Sequence, residues 1–139
     1  MGRIVAIDYG AKRCGVAATD PLQIIAGAIA TIDTKQILTY LKDYLSKEQV
    51  DVLVVGKPMR LDGSDTHSTA AAEKFVTSLR QLFPTQQVEQ VDERFTSAIA
   101  QRSLLEMGLK KKDRQKKENI DQVSAALILQ TYLEMKNIK

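Results

Sequence analysis

A chain of 139 residues, 44% of them hydrophobic, has the size of one domain spanning 1–139, able to bury about two-thirds of the surface it exposes when unfolded. No apolar run approaches a membrane span, the first residues lack a signal-peptide pattern, and the single Cys14 excludes an internal disulfide or a cysteine metal cluster, so a cytoplasmic protein is expected. The formal charge of +3 is uneven, because residues 110–117 hold six bases and one acid and the remainder is net acidic. Such a local patch is either a phosphate-gripping loop or a solvated linker.

In chain order, residues 3–8 read as a short buried strand that ends on Asp8 at a glycine-bearing turn, and residues 14–19 as a second strand broken by Asp20-Pro21. A third strand, 25–32, is weakened by Gly27, and the short connections predict an antiparallel meander. Residues 34–47 carry Ile37, Leu38, Leu41 and Leu45 on one helical face, with Asp33 or Thr34 as N-cap. Between Asp51 and Gly56 the run is apolar throughout, as in a central parallel strand covered on both faces. A helix over 65–82, with Ala71, Phe75, Leu79 and Leu82 in register, is followed by a strand at 86–92. A helix over 95–107 then ends at Gly108, and after the basic loop comes a last helix at 119–136. The fold class is α/β: a five-stranded mixed sheet with helices on both faces, the first, fourth and fifth strands parallel. In such sheets ligands collect beyond the carboxyl ends of the parallel strands, here at Asp8, Gly56-Lys57-Pro58 and Asp92-Glu93-Arg94.

Carboxylates gathered at one sheet edge fit metal-assisted phosphodiester hydrolysis. Two hard cations, Mg²⁺ or Mn²⁺, would be held by acidic oxygens and would activate water while stabilising the leaving oxygen. Asp8 would be the bridging ligand; it could equally close its own turn. Asp121, in the first turn of the last helix, either aims at the sheet edge or merely offsets the helix dipole. Adjacent Asp92 and Glu93 point to opposite faces by strand alternation, and the residues alone do not choose between them. Arg13, Lys57, Arg60 and Arg94 are candidate phosphate ligands on the same edge, joined by Lys110, Lys111 and Lys112 of the basic loop. His67 reads as a surface histidine. Seven aromatics form no interleaved platform, which argues against a single-strand binder of the RRM or OB type.

Four segments in this order resemble the YqgF (RuvX) family, relatives of the junction resolvase RuvC. They are Ala6 to Ala17 (AIDYGAKRCGVA), Val55-Gly-Lys-Pro58 with Asp62-Gly-Ser64, Val91 to Ser97 (VDERFTS), and Ile120 to Ala126 (IDQVSAA). The resemblance implies a ribonuclease H-like fold and Asp8, Glu93 and Asp121 as the catalytic, metal-binding acids, with Glu93 taken over Asp92 from its place in the Asp-Glu-Arg motif. It implies a nuclease acting on the 5′ end of small-subunit ribosomal RNA precursor, or alternatively a Holliday junction resolvase on four-way DNA. Its partners are then nucleic acid and ribosomal particles, and the protein a monomer or a two-fold homodimer. Cys14 stands where the family more often has a plain apolar residue, and should pack as one. Two rivals remain: a non-catalytic nucleic-acid-binding assembly module, and an actin-like phosphotransferase, whose two lobes need a far longer chain.

Overall fold

The computed structural model describes the backbone of residues 2–57, 67–92 and 117–137, and the side chains of 2–57, 69–92 and 124–136. Strands β1 (Arg3–Asp8), β2 (Arg13–Thr19) and β3 (Ala26–Asp33) form the antiparallel meander. A single 3-10 turn, Thr34–Gln36, leads into helix α1 (Ile37–Lys47). Then follow β4 (Val50–Lys57), α2 (His67–Leu82), β5 (Gln87–Asp92) and α3 (Lys117–Asn137). The sheet order is β3-β2-β1-β4-β5, with β1, β4 and β5 parallel, as the two crossovers require. The helix expected over 95–107 falls outside the described residues.

Strand alternation divides the core in two. Val5, Ile7, Cys14, Val16, Leu53, Val55 and Val88 face α1 and α2, while Ile4, Ala6, Ala17, Val52, Val54 and Val91 face α3. β1 and β4 are therefore apolar on both faces, which explains their uninterrupted hydrophobic runs. From α3, Ala125, Ile128, Leu129 and Leu133 complete the second layer, the spacing of one helical stripe. No helix among the described residues is long and apolar enough to cross a membrane.

Two local expectations are corrected. Neither Asp33 nor Thr34 caps α1 through its side chain: the helix is entered through the 3-10 turn, and the Thr34 hydroxyl instead donates to the Gly10 carbonyl at 2.6 Å. In α2 the buried stripe is Ala72, Phe75, Val76, Leu79 and Phe83, whereas Ala71 is exposed and Leu82 is 40% exposed. Phe83 sits just past the last helical turn, its N–H bonded to Leu79 O, so the core continues where the helix stops.

The amino end of β1 is tied by polar contacts. Gln23, at a left-handed φ of 60°, donates from Nε2 to Gly2 O at 2.7 Å and accepts from Lys136 Nζ at 2.9 Å. That conformation is uncommon for a non-glycine residue, and the side-chain bonds hold it. The β2–β3 connection is organised by Asp20, whose carboxylate accepts from the N–H groups of Ile25 (2.8 Å), Ile24 (2.9 Å) and Leu22 (3.1 Å). These backbone donors, Ile25 foremost, hold the Asp20 carboxyl below its ordinary value of 3.8. A lowered folded value means the stabilisation is complete above the ordinary carboxylate range and lost as pH falls through the folded value. Asp20→Asn should therefore lower Tm at neutral pH, with the gap to the unsubstituted protein narrowing as the pH falls below the ordinary carboxylate range. Thermal melts over a falling pH series check this, and a gap that stays equal throughout contradicts it.

Candidate active site

Asp8 is half-buried and ends β1. Alternation from Ile4 and Ala6 places it on the α3 side of the sheet. The next two strand ends at this edge are the start of β2, where Arg13 shares the α3 side with Ala17, and the end of β4, where Lys57 shares the opposite side with Leu53 and Val55. Lys57 accordingly forms an ion pair with Glu73 of α2 at 3.5 Å. Of the two expected phosphate ligands on these strands, Arg13 lies on Asp8's side and Lys57 on the other.

The β1–β2 turn between Asp8 and Arg13 is drawn tight. A Cβ on Gly10 would lie 2.4 Å from the Arg13 carbonyl oxygen, so the close approach of the two backbones requires glycine. The chain entering α1 braces it: Thr34 N–H donates to Lys12 O at 3.0 Å and its hydroxyl to Gly10 O. Cys14 Sγ, buried, lies 3.6 Å from the same hydroxyl. Sequence reasoning assigned Thr34 to a helix cap and missed this brace, and a contact between residues 24 apart leaves no periodic signal.

On β5, Val88 packs toward α1 and α2 and Val91 toward α3. Asp92, in register with Lys57, is therefore on the α2 side, across the sheet from Asp8. Glu93, Arg94, Arg60, Lys110, Lys111 and Lys112 lie outside the described residues, as does the Asp121 side chain. The backbone of Asp121 is one turn before buried Ala125. Lys136, at the other end of α3, reaches Gln23 at the amino end of the sheet. Fifteen helical residues span about 22 Å, the length of a strand of this sheet, so α3 reaches the level of the Asp8 edge near Asp121. No group of three or more His, Cys, Asp or Glu suited to a metal ion occurs among the described residues.

A family model described as "RuvX: Holliday junction resolvase" matches residues 2–135. The chain belongs to the RuvX family. It is 49% identical over 136 residues to a Bacteroides thetaiotaomicron protein named "Putative pre-16S rRNA nuclease", covering 98% of this chain and 99% of that one. An Amoebophilus asiaticus protein of the same name is 50% identical over 133 residues, covering 96% and 94%. Among solved structures, Thermus thermophilus RuvC in complex with a Holliday junction substrate superposes with a TM-score of 0.61 at 13% identity, over 99% of this RuvX chain and 98% of RuvC. At that identity the likeness is one of fold, and it makes the RuvX sheet and helices ribonuclease H-like.

Proposed function

We propose that this RuvX protein is a single-domain, cytoplasmic, Mg²⁺- or Mn²⁺-dependent nuclease that processes the 5′ end of the small-subunit ribosomal RNA precursor. The observation that carries this reading is the position of Asp8: it ends a buried strand on the side of the sheet covered by α3, whose amino-terminal part, bearing Asp121, rises to the same edge. The names of close, full-length relatives supply the RNA substrate. Asp92's place across the sheet favours its neighbour Glu93 as the third acid, since consecutive strand residues point to opposite faces. Asp8, Glu93 and Asp121 offer carboxylate oxygens alone, the donor set that hard cations prefer. A bound cation pair would activate water and stabilise the departing oxygen. Arg13, beside Asp8, and Arg94 would hold phosphate oxygens of the bound strand, and Lys57, kept by Glu73, would reach the strand only from the α2 side.

The family description and the RuvC fold favour a second substrate, four-way DNA. A symmetric junction calls for a two-fold dimer with two opposed sites, whereas trimming an RNA end does not. Incubation of the protein with a precursor RNA 5′ segment and with a four-way junction, each with Mg²⁺ and with a chelator, together with its mass in solution, separates the cases. Mg²⁺-dependent cleavage of the RNA by a monomer is expected. Junction cleavage alone, by a dimer, would overturn the RNA assignment, and binding without any cleavage would make the protein an assembly module.

The basic loop preceding α3 would grip the strand beside the acids. Neutralising Lys110, Lys111 and Lys112 together should weaken binding to all sequences alike and flatten the slope of log K against log salt by about 0.7–0.9 for each phosphate no longer gripped. KM should rise more than kcat falls, as when uniform binding energy is removed. An unchanged salt slope would return the loop to a solvated linker.

A further inference from the structure

On the side of the sheet away from Asp8, a cleft of about 340 Å³ opens between the start of α1 and the middle of α2, beside Tyr9 at the same carboxyl edge. Its floor is apolar: Ile37 and Phe75 are buried, Leu38 is half-buried, and Tyr9 stacks on Phe75 with ring centroids 4.5 Å apart. Its rim is basic, because Lys35 and Lys74 line it and both are exposed. Flat apolar walls below and two cations above suit a ligand that is planar at one end and anionic at the other. The volume is at the small end of the range for small-molecule sites, about 300–1,000 Å³, which admits one nucleotide and no duplex.

We propose that this cleft is a nucleotide subsite that takes one unpaired base of the bound RNA strand, stacked beside Tyr9, with its phosphate between Lys35 and Lys74. The assignment rests on the nuclease reading for its substrate and on the cleft for its chemistry. Tyr9 follows Asp8 directly, so their Cα atoms are about 3.8 Å apart while their side chains serve opposite faces of the sheet. A strand lying at Asp8 need only step over the sheet edge for a neighbouring nucleotide to reach the cleft. Single-stranded RNA is commonly recognised in this way, by splayed bases stacked on aromatic rings. The subsite would require an unpaired nucleotide next to the cut, and so would discriminate a single-stranded precursor end from continuous duplex. No spacing in the sequence pointed to it, because Tyr9, Lys35 and Lys74 come from three separate elements.

The test uses short single-stranded RNAs spanning the cut, each with one abasic nucleotide, bound to the full-length Asp8→Asn protein so that the strand stays intact. One abasic position beside the cut should weaken binding by roughly 5- to 150-fold, the range that base–aromatic stacking supplies. In the same background Ala71→Trp, on an exposed helical position lining the cleft, should fill it and abolish the difference between abasic and intact RNA. Should that variant misfold, Lys35→Ala with Lys74→Ala is the second probe, expected to flatten the salt slope on single-stranded RNA by about 0.7 for each phosphate released. An identical abasic profile with the cleft open and filled, or an unchanged salt slope for the double alanine variant, would overturn the subsite. Competition by a nucleoside monophosphate without any abasic effect would make it a site for free nucleotide, and would overturn the strand assignment. If the unsubstituted protein binds RNA with the abasic signature yet cleaves none, the nuclease reading falls while the subsite stands.

Discussion

Asp8→Asn should reduce cleavage about a thousandfold or more while leaving the far-ultraviolet spectrum and the melting transition in place. Asparagine keeps the shape of the side chain and most of its hydrogen bonding, so the end of β1 can stay as it is. What disappears is a charged oxygen ligand at the centre of the proposed site, where metal-borne stabilisation of the transition state amounts to several kcal/mol and each 1.4 kcal/mol is about tenfold in rate. The neighbouring strand end provides the control. Glu93→Gln should match Asp8→Asn, whereas Asp92→Asn, altering a residue on the α2 side of the sheet, should retain most activity. Cleavage rates at saturating Mg²⁺ for the three proteins decide the matter. Near-normal cleavage by Asp8→Asn would remove Asp8 from the chemistry, and a collapse confined to Asp92→Asn would exchange the roles of the two neighbours.

Gly10→Ala should damage the same edge through sterics rather than charge. A methyl group at Gly10 would meet the Arg13 carbonyl oxygen at 2.4 Å, a separation that van der Waals radii forbid. The oxygen belongs to the main chain and the methyl is fixed rigidly to Cα, so relief requires opening the turn, which also strains the Thr34 hydroxyl bond to Gly10 O. Overpacking of this kind costs about 1–3 kcal/mol of stability, seen as a lower Tm. The larger effect should fall on cleavage measured well below Tm, because the turn flanks Asp8 and a displacement of about 1 Å at a reacting group can cost a hundredfold. Unaltered Tm and cleavage would show that the turn has room for a side chain.

The strand directions were legible because the hydrophobic runs differed in kind. Asp51 to Gly56 had no polar face and could only be central, while the short β1–β2 and β2–β3 connections permitted only hairpins. The α2 face was harder. Phe75 and Leu79 are common to two stripes a residue apart, and the structure takes the one through Ala72 and Phe83 because Phe83, just past the last helical residue, still reaches the core. At the site, alternation predicted that Asp92 and Glu93 point to opposite faces but not which face Asp92 takes. That Asp92 lies on the α2 side follows only from Val88 and Val91 packing against different helices, a tertiary fact. Gly10 was readable as a turn residue, whereas its brace by Thr34 was not, since it joins two turns with β2 and β3 between them.

The placement of α3 bears on the order in which this protein becomes competent during synthesis. β1, β2 and β4 can pair and gather α1 and α2 on one side long before α3 is translated, whereas their other side is covered, among the described residues, by Ala125, Ile128, Leu129 and Leu133 of α3, which arrive last. The same segment carries Asp121. A nascent chain that still shows its second apolar layer to chaperones is therefore also one without the last of the three proposed acids, and the ribosome releases the cutting activity only together with the finished core.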